Sequence, residues 1–145
     1  MTIFETLPRT ALASGTITIP QAESDRLATV LGSEPPASGR LHPLYGYIAA
    51  QRGIGVRIPE LCALAEFDID DGPMLGSLEV TIAGELEAGT EYAVDGEVLG
   101  IERKHGRTIG TFDVMTFRER LVAADGAVVA TSRVSFVLPR KGPAK

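Results

Sequence analysis

From Leu78 to Leu138 the apolar residues fall on alternate positions in successive runs: Leu78, Val80 and Ile82; Tyr92, Val94 and Val98; Phe112 and Val114; Val128, Ala130, Val134, Phe136 and Leu138. Successive side chains of a strand point to opposite faces, so this period of two describes strands with one buried and one solvated face. Ala88-Gly89, Lys104-His105-Gly106-Arg107 and Asp125-Gly126 place glycine where the chain must reverse between runs. Four antiparallel strands follow. Gly15-Thr-Ile-Thr-Ile19, closed by Pro20, supplies a fifth.

A sheet with one apolar face has to cover it. Gln21 to Leu31 has the spacing of a surface helix, and Gly32 to Gly39, with Pro35-Pro36, reads as a loop. Pro43 can open a short helix carrying Tyr45, Ile48 and Ala49, which Gly53 and Gly55 interrupt as a hinge. The segment Pro59 to Phe67 begins with a proline suited to a first helical turn and is apolar on most faces. The reading therefore predicts an α+β fold in which the sheet wraps the Pro59–Phe67 helix, with Leu61, Cys62, Leu64 and Ala65 buried. A chain of 145 residues is long enough for one core, and a single domain over 1–145 is expected.

Charge and composition narrow the function classes. A net charge of −5 argues against a broad nucleic-acid-binding face, which needs clustered Lys and Arg against phosphates. No apolar run approaches the roughly 20 residues of a membrane helix, and the N-terminus lacks a basic segment followed by an apolar one. A cytoplasmic protein with no membrane partner is expected. The single cysteine, Cys62, lies in an apolar run and reads as a buried thiol in a reducing compartment. Asp68, Asp70 and Asp71 lack the ligand spacing of a calcium loop and read as a solvated turn. No zinc pattern is present, so neither metal nor cofactor is expected. Gly53-x-Gly55 lacks the preceding strand and third glycine of a dinucleotide fingerprint. Lys104, His105 and Arg107 read as a solvated basic hairpin tip, the alternative being an anion or carrier-protein contact.

The order of strand, helices and meander resembles the hot-dog fold. The stretch Ser38-Gly-Arg-Leu-His-Pro-Leu-Tyr45 is similar to the loop S-G-D-x-N-P-x-H of MaoC-like dehydratases and R-specific enoyl-CoA hydratases, particularly the fatty-acid-synthase-type dehydratase N-terminal branch. Ser38, Gly39 and Pro43 match that loop. Arg40 falls at the catalytic aspartate, His42 at the asparagine and Tyr45 at the catalytic histidine. Gly53-Ile-Gly55 resembles the stretch before the family's central helix, and Arg57 to Cys62 lies where that helix opens with H-G-M, which puts Glu60 and Leu61 at its His-Gly positions.

The resemblance implies a thioester of coenzyme A or an acyl carrier protein as ligand, and a homodimer, or a heterodimer with a second hot-dog chain. In the family, the Asp and His hold a water that adds to, or leaves, an acyl thioester by general acid–base catalysis. Arg40 cannot take that role, because a guanidinium stays protonated and has donors only. Tyr45, a phenol, is a poor base unless a nearby cation such as Arg40 stabilises the phenolate. His42 titrates in the useful range and could form a relocated set with Tyr45 and Arg40. Arg40 and Arg57 read as solvated or ion-paired residues; in a functional role they would contact phosphates of the carrier. Leu61 would present the backbone N–H at the oxyanion position, beside Glu60. Tyr45 and Tyr47, two residues apart on a helix, face different sides, so at most one reaches a pocket. Three readings follow: a dyad-lacking binding subunit whose partner retains the dyad; a stand-alone lyase or isomerase using His42, Tyr45 and Arg40; and a thioesterase relying on Glu60.

Overall fold

The computed structural model describes residues 1–141. Five strands, β1 (Ala11–Thr18), β2 (Met74–Ile82), β3 (Glu91–Gly106), β4 (Gly110–Val122) and β5 (Val128–Pro139), form one antiparallel sheet in the order β1-β3-β4-β5-β2. Four helices accompany it: α1 (Ile3–Thr6), α2 (Gln21–Val30), α3 (Tyr45–Gly53) and α4 (Ile58–Leu64), with a single 3-10 turn at Ile69–Asp71.

The helix at the centre of the sheet is α3, which lies against all five strands, whereas α4 packs on the 3-10 turn. This corrects the expectation that the sheet wraps Pro59–Phe67. The physical reason is backbone proximity. A Cβ at Gly46 would stand 3.2 Å from Val80 Cγ1, and one at Gly53 only 2.6 Å from Val94 Cγ2. With Ala49 and Ala50 buried between them, α3 presents small residues to the sheet and settles close onto it. Of the α4 residues expected inside, Leu61, Cys62 and Ala65 are buried, but Leu64 is 37% exposed.

Gly53 and Gly55 also serve a different purpose from the expected hinge. β1 bulges between Leu12 and Gly15, and the Gly55 N–H donates to Ala13 O at 2.8 Å. Cβ atoms at Gly15 and Gly55 would collide with the carbonyl oxygens of Gly53 and Ser14, respectively. Only glycine permits this crossing of two backbones.

Alternation on β3 and β5 follows the sequence reading, but β4 is turned over. Its buried face is Asp113, Met115, Phe117, Glu119 and Leu121, while Phe112 and Val114 are half-buried on the other face. The β3–β4 reversal sits at Arg107–Ile109, so Lys104 and His105 belong to β3, paired with Phe112 and Thr111. Asp113 is fully buried and accepts from Arg103 Nε and Nη2 (2.9 and 3.1 Å) and from Arg140 Nε (2.7 Å). Arg140 also donates to the carbonyls of Ala65 and Glu66, closing the end of α4 where Glu66 adopts φ 53°. β2 is an edge strand on the outside of the sheet and carries exposed Met74, Leu75, Leu78 and Val80.

Candidate functional site

The loop from Ser38 to Tyr45 is held by α2. Gln21 Oε1 accepts from the Gly39 N–H at 2.6 Å, and Gln21 Nε2 donates to Arg40 O at 2.9 Å. Gly39 has φ +83°, the left-handed region that glycine occupies without strain. The buried Ser24 hydroxyl accepts from the His42 N–H at 2.7 Å, and Leu41 N donates to Leu86 O at 2.9 Å. These bonds fix the backbone beside a cavity of about 290 Å³ lined by Ala37, Arg40, Leu41, Pro43, Ile82 and Leu86 among others. The cavity is mostly apolar, with Arg40 as its cation. Arg40 is already paired there, with Glu85 at 2.6 Å and Glu87 at 3.6 Å.

His42 and Tyr45 do not join Arg40 at this cavity. His42 turns its Nδ1 back to accept from the Leu44 N–H at 3.1 Å, a local turn bond. Tyr45 is 3% exposed and donates its hydroxyl to Glu23 Oε2 at 2.6 Å, the same oxygen that Arg52 Nη1 approaches at 2.8 Å. Burial and then the Glu23 carboxylate push the Tyr45 phenol up to about 12, while the hydrogen bond from Tyr45 leads the causes that hold Glu23 below its ordinary value. The charge beside Tyr45 is therefore a carboxylate that keeps it protonated. The expected set of Arg40, His42 and Tyr45 is not assembled; its members engage Glu85, the Leu44 backbone and Glu23.

Arg57 and Glu60 sit together on the outside of α4. Glu60 Oε1 accepts from both Arg57 Nε (3.1 Å) and the Arg57 N–H (3.3 Å), the reciprocal contact that caps a helix start. That bond to Arg57 holds the Glu60 carboxyl below its usual range. Leu61 is buried and donates its N–H to Arg57 O at 2.9 Å. Because the central helix is α3, the sequence that opens it is Tyr45-Gly46-Tyr47, and the glycine at its start is Gly46 rather than any residue of α4. The Gly46 N–H donates to Pro43 O at 3.0 Å, so it too is engaged.

Tyr47 lies on the other side of α3 from Tyr45, and its phenol feels the charge of a group that sequence reasoning missed. Glu119 projects from the middle of β4 toward α3 and is 1% exposed. Its cross-strand neighbours are Gly96 on β3 and Ser132 on β5. The Ser132 hydroxyl donates to Gly46 O at 3.4 Å, which places this row of the sheet beneath the first turn of α3. Glu119 Oε1 has no hydrogen-bond partner among the described residues, and neither has the buried Oε1 of Gln51, one helical turn after Tyr47. Burial pushes the Glu119 carboxyl up to about 7. Burial, with Glu119 second, likewise raises the Tyr47 phenol. The available signal was a glutamate set between Phe117 and Leu121 at strand spacing. Among the described residues, no group of three or more His, Cys, Asp or Glu side chains is placed to hold a metal ion.

No protein-family model matches the chain, and no curated protein sequence does. Solved structures do match in shape. The ChsH1-ChsH2 complex from Mycobacterium tuberculosis has a chain with TM-score 0.71 at 13% identity, covering 92% of this chain and 89% of its own. The MaoC-like dehydratase from Rhodospirillum rubrum has TM-score 0.65 at 14% identity over 99% of both chains. The HadBC (3R-hydroxyacyl-ACP dehydratase) complex from Mycobacterium tuberculosis has TM-score 0.60 at 10% identity, covering 92% of this chain and 98% of its own. Agreement over nearly the whole length, with a five-stranded antiparallel sheet curled over one helix, establishes that this chain has the hot-dog fold.

Proposed function

We propose that this chain binds an acyl thioester, carried by coenzyme A or an acyl carrier protein, and acts as a subunit without its own water-positioning dyad beside a hot-dog chain that has one. The observation that carries this reading is the engagement of Tyr45. At the position where the similar loop has its histidine stands a phenol locked to Glu23 and pushed up to about 12, five units from neutral pH and useless as a base. Arg40, in the aspartate's place, is a cation neutralised by Glu85 and Glu87. The apolar cavity beside Arg40 suits part of an acyl chain, and Arg57, paired with Glu60 through Nε but with its side chain 85% exposed, is within solvent reach of a carrier phosphate.

The uncovered β2 edge supports pairing with a second hot-dog chain, identical or not. Among the described residues no strand pairs with its outer backbone groups, and Leu75, Leu78 and Val80 are exposed there. Two of the similar structures are complexes by name, ChsH1-ChsH2 and HadBC. A stand-alone lyase or isomerase using His42, Tyr45 and Arg40 has weaker support, since the three are separated. A thioesterase using Glu60 is weaker still, because that carboxylate is exposed and bound to Arg57.

The test is to titrate the chain with butyryl-CoA and crotonyl-CoA and to assay crotonyl-CoA hydration. Both are done alone and with a hot-dog chain carrying Asp and His. Binding without turnover by the isolated chain, and turnover in the mixture above that of the partner alone, supports the subunit reading. Efficient hydration by the isolated chain that His42→Ala abolishes favours the stand-alone enzyme. No thioester binding in either form sinks both.

A further inference from the structure

A second cavity, of about 410 Å³, is lined by Ile3, Phe4, Glu66, Arg103 and Arg140 among others, between α1 and the end of α4. It lies at the other end of the sheet from the Arg40 cavity: Ile82, on the wall of that one, pairs with Ala130 near the start of β5, and Arg140 follows the end of β5. One cation and one anion of this second cavity keep hydrogen-bonding capacity to spare. Arg103 holds the buried Asp113 through Nε and Nη2, and its guanidinium carbon lies 5.2 Å from the centroid of the Phe4 ring, which leaves Nη1 without a partner among the described residues. Glu66 is exposed, and among those residues only its carbonyl oxygen is engaged, while its carboxylate has neither an ion pair nor a hydrogen bond.

The two side chains are set in one frame. Arg140 donates Nε to Asp113 and its two Nη atoms to the carbonyls of Glu66 and Ala65, so contacts run unbroken from Arg103 through Asp113 and Arg140 to the Glu66 backbone. Arg140 has each of its nitrogens occupied and serves as the brace. Glu66, in turn, is a residue that local rules disfavour where it stands. Its φ of 53° is the left-handed conformation that glycine usually supplies after a helix, and a carboxylate there meets the negative end of the helix dipole. A residue kept against both rules marks a place where the side chain serves something other than the fold.

We propose that this cavity binds an α-amino acid with an apolar side chain, its carboxylate on Arg103 Nη1, its ammonium on Glu66 and its side chain against Ile3 and Phe4. The charges select a zwitterion. The guanidiniums of Arg103 and Arg140 are matched by the carboxylates of Asp113 and Glu66, so a simple anion is repelled by Glu66 and a simple amine by Arg103. A ligand carrying both charges on one carbon satisfies both free groups, and a guanidinium already fixed by a buried carboxylate and an aromatic ring gives up little freedom on binding it. Mostly apolar walls with a few polar groups that fix orientation are the usual make-up of a small-molecule site. The site is separate from the thioester reading and does not depend on it.

The experiment is amide-resolved NMR titration of the wild type, Glu66→Gln and Arg103→Met, each first checked by circular dichroism for an intact fold. The probes are L-leucine, isocaproate, which is leucine without its ammonium, and isopentylamine, which is leucine without its carboxylate. L-Leucine is expected to shift the amides of Ile3, Phe4 and Glu66 saturably in the wild type, and each half-analogue to bind about tenfold more weakly, as for one lost charge-assisted contact. Glu66→Gln should weaken L-leucine about tenfold while isocaproate binds no worse, and Arg103→Met should weaken both. If Arg103→Met does not fold, the opposite responses of L-leucine and isocaproate to Glu66→Gln decide the matter alone. Absence of saturable shifts with L-leucine, or shifts indifferent to Glu66→Gln, overturns the proposal. Binding of L-serine as tight as that of L-leucine overturns it too, since the apolar walls then contribute nothing. So does binding of inorganic phosphate that Glu66→Gln strengthens while L-leucine fails to bind, because that marks a site for simple anions.

Discussion

Glu119 stands directly across the β4–β5 ladder from Ser132, both beneath α3: the serine hydroxyl reaches Gly46 O, while Glu119 Oε1 finds no partner among the described residues. A bland serine anchors the helix, and the ionisable residue beside it is left strained by burial.

That arrangement gives a pH signature. The folded-state value of Glu119, about 7, lies above its ordinary 4.5, so the folded protein holds a proton that the unfolded chain releases. The associated stability is full below about pH 4.5 and is lost as pH rises through 7. A shift of this size corresponds to roughly 3 kcal/mol at most. Urea unfolding of the wild type and Glu119→Gln at pH 5 and pH 8 measures it. The variant's gain relative to wild type should be larger at pH 8 by a few kcal/mol, and a constant difference between the two pH values contradicts the placement of Glu119.

Asp113 behaves in the opposite sense. Burial alone would raise its carboxyl, but the hydrogen bonds from Arg103 and Arg140 outweigh burial and hold it below the ordinary range. Its contribution is present above the unfolded value near 3.8 and is lost as pH falls through the folded one. Asp113→Ala leaves Arg140, 17% exposed, without its anion and loosens its grip on the end of α4. The expected cost is about 3–5 kcal/mol, read from chemical denaturation at pH 7. A loss below 1 kcal/mol is incompatible with a working staple.

On α4, Leu61 and Leu64 should part company. Leu61→Ala removes a side chain 2% exposed and is expected to cost about 2–5 kcal/mol. Leu64, at 37% exposure, should cost under about 1 kcal/mol when changed to alanine. Equal losses in thermal or urea melts would place α4 differently.

Leu78 lies mid-strand on the open β2 edge. If this edge pairs with a second hot-dog chain, Leu78→Lys puts a charge into the junction and should shift sedimentation from dimer to monomer while leaving the far-ultraviolet circular dichroism unchanged. A dimer that persists in Leu78→Lys assigns the interface elsewhere.

Much of the sheet was legible because Tyr92, Val94 and Val98 of β3 and Ala130, Val134, Phe136 and Leu138 of β5 recur at strand spacing on the buried face. β4 hid its face, since Asp113 and Glu119 occupy two of the five buried positions and made the half-buried Phe112 and Val114 look like the core side. The central helix was misread for a related reason. Hydrophobicity pointed to Pro59–Phe67, but close approach to a sheet selects Gly46, Ala49, Ala50 and Gly53, which carry little hydrophobic signal. The loop of Arg40 was found from its resemblance to the S-G-D-x-N-P-x-H loop and does border a cavity. What local sequence could not supply was the set of distant partners, Glu23 for Tyr45 and Glu85 for Arg40, which are joined only by folding.

The glycine crossing of β1 over the end of α3 has a consequence for assembly. Residues 13–15 and 53–55 touch backbone to backbone, so the bulge of the first strand is a mould that the helix terminus must enter without side chains in the way. β1 otherwise joins the sheet only through β3, whose residues lie more than 70 positions later in the chain. The first strand thus has two clasps, one near and one far in sequence. If β1 and α3 meet through the near clasp before the meander closes, Gly15→Ala slows folding more than it speeds unfolding, which stopped-flow refolding and unfolding rates measure.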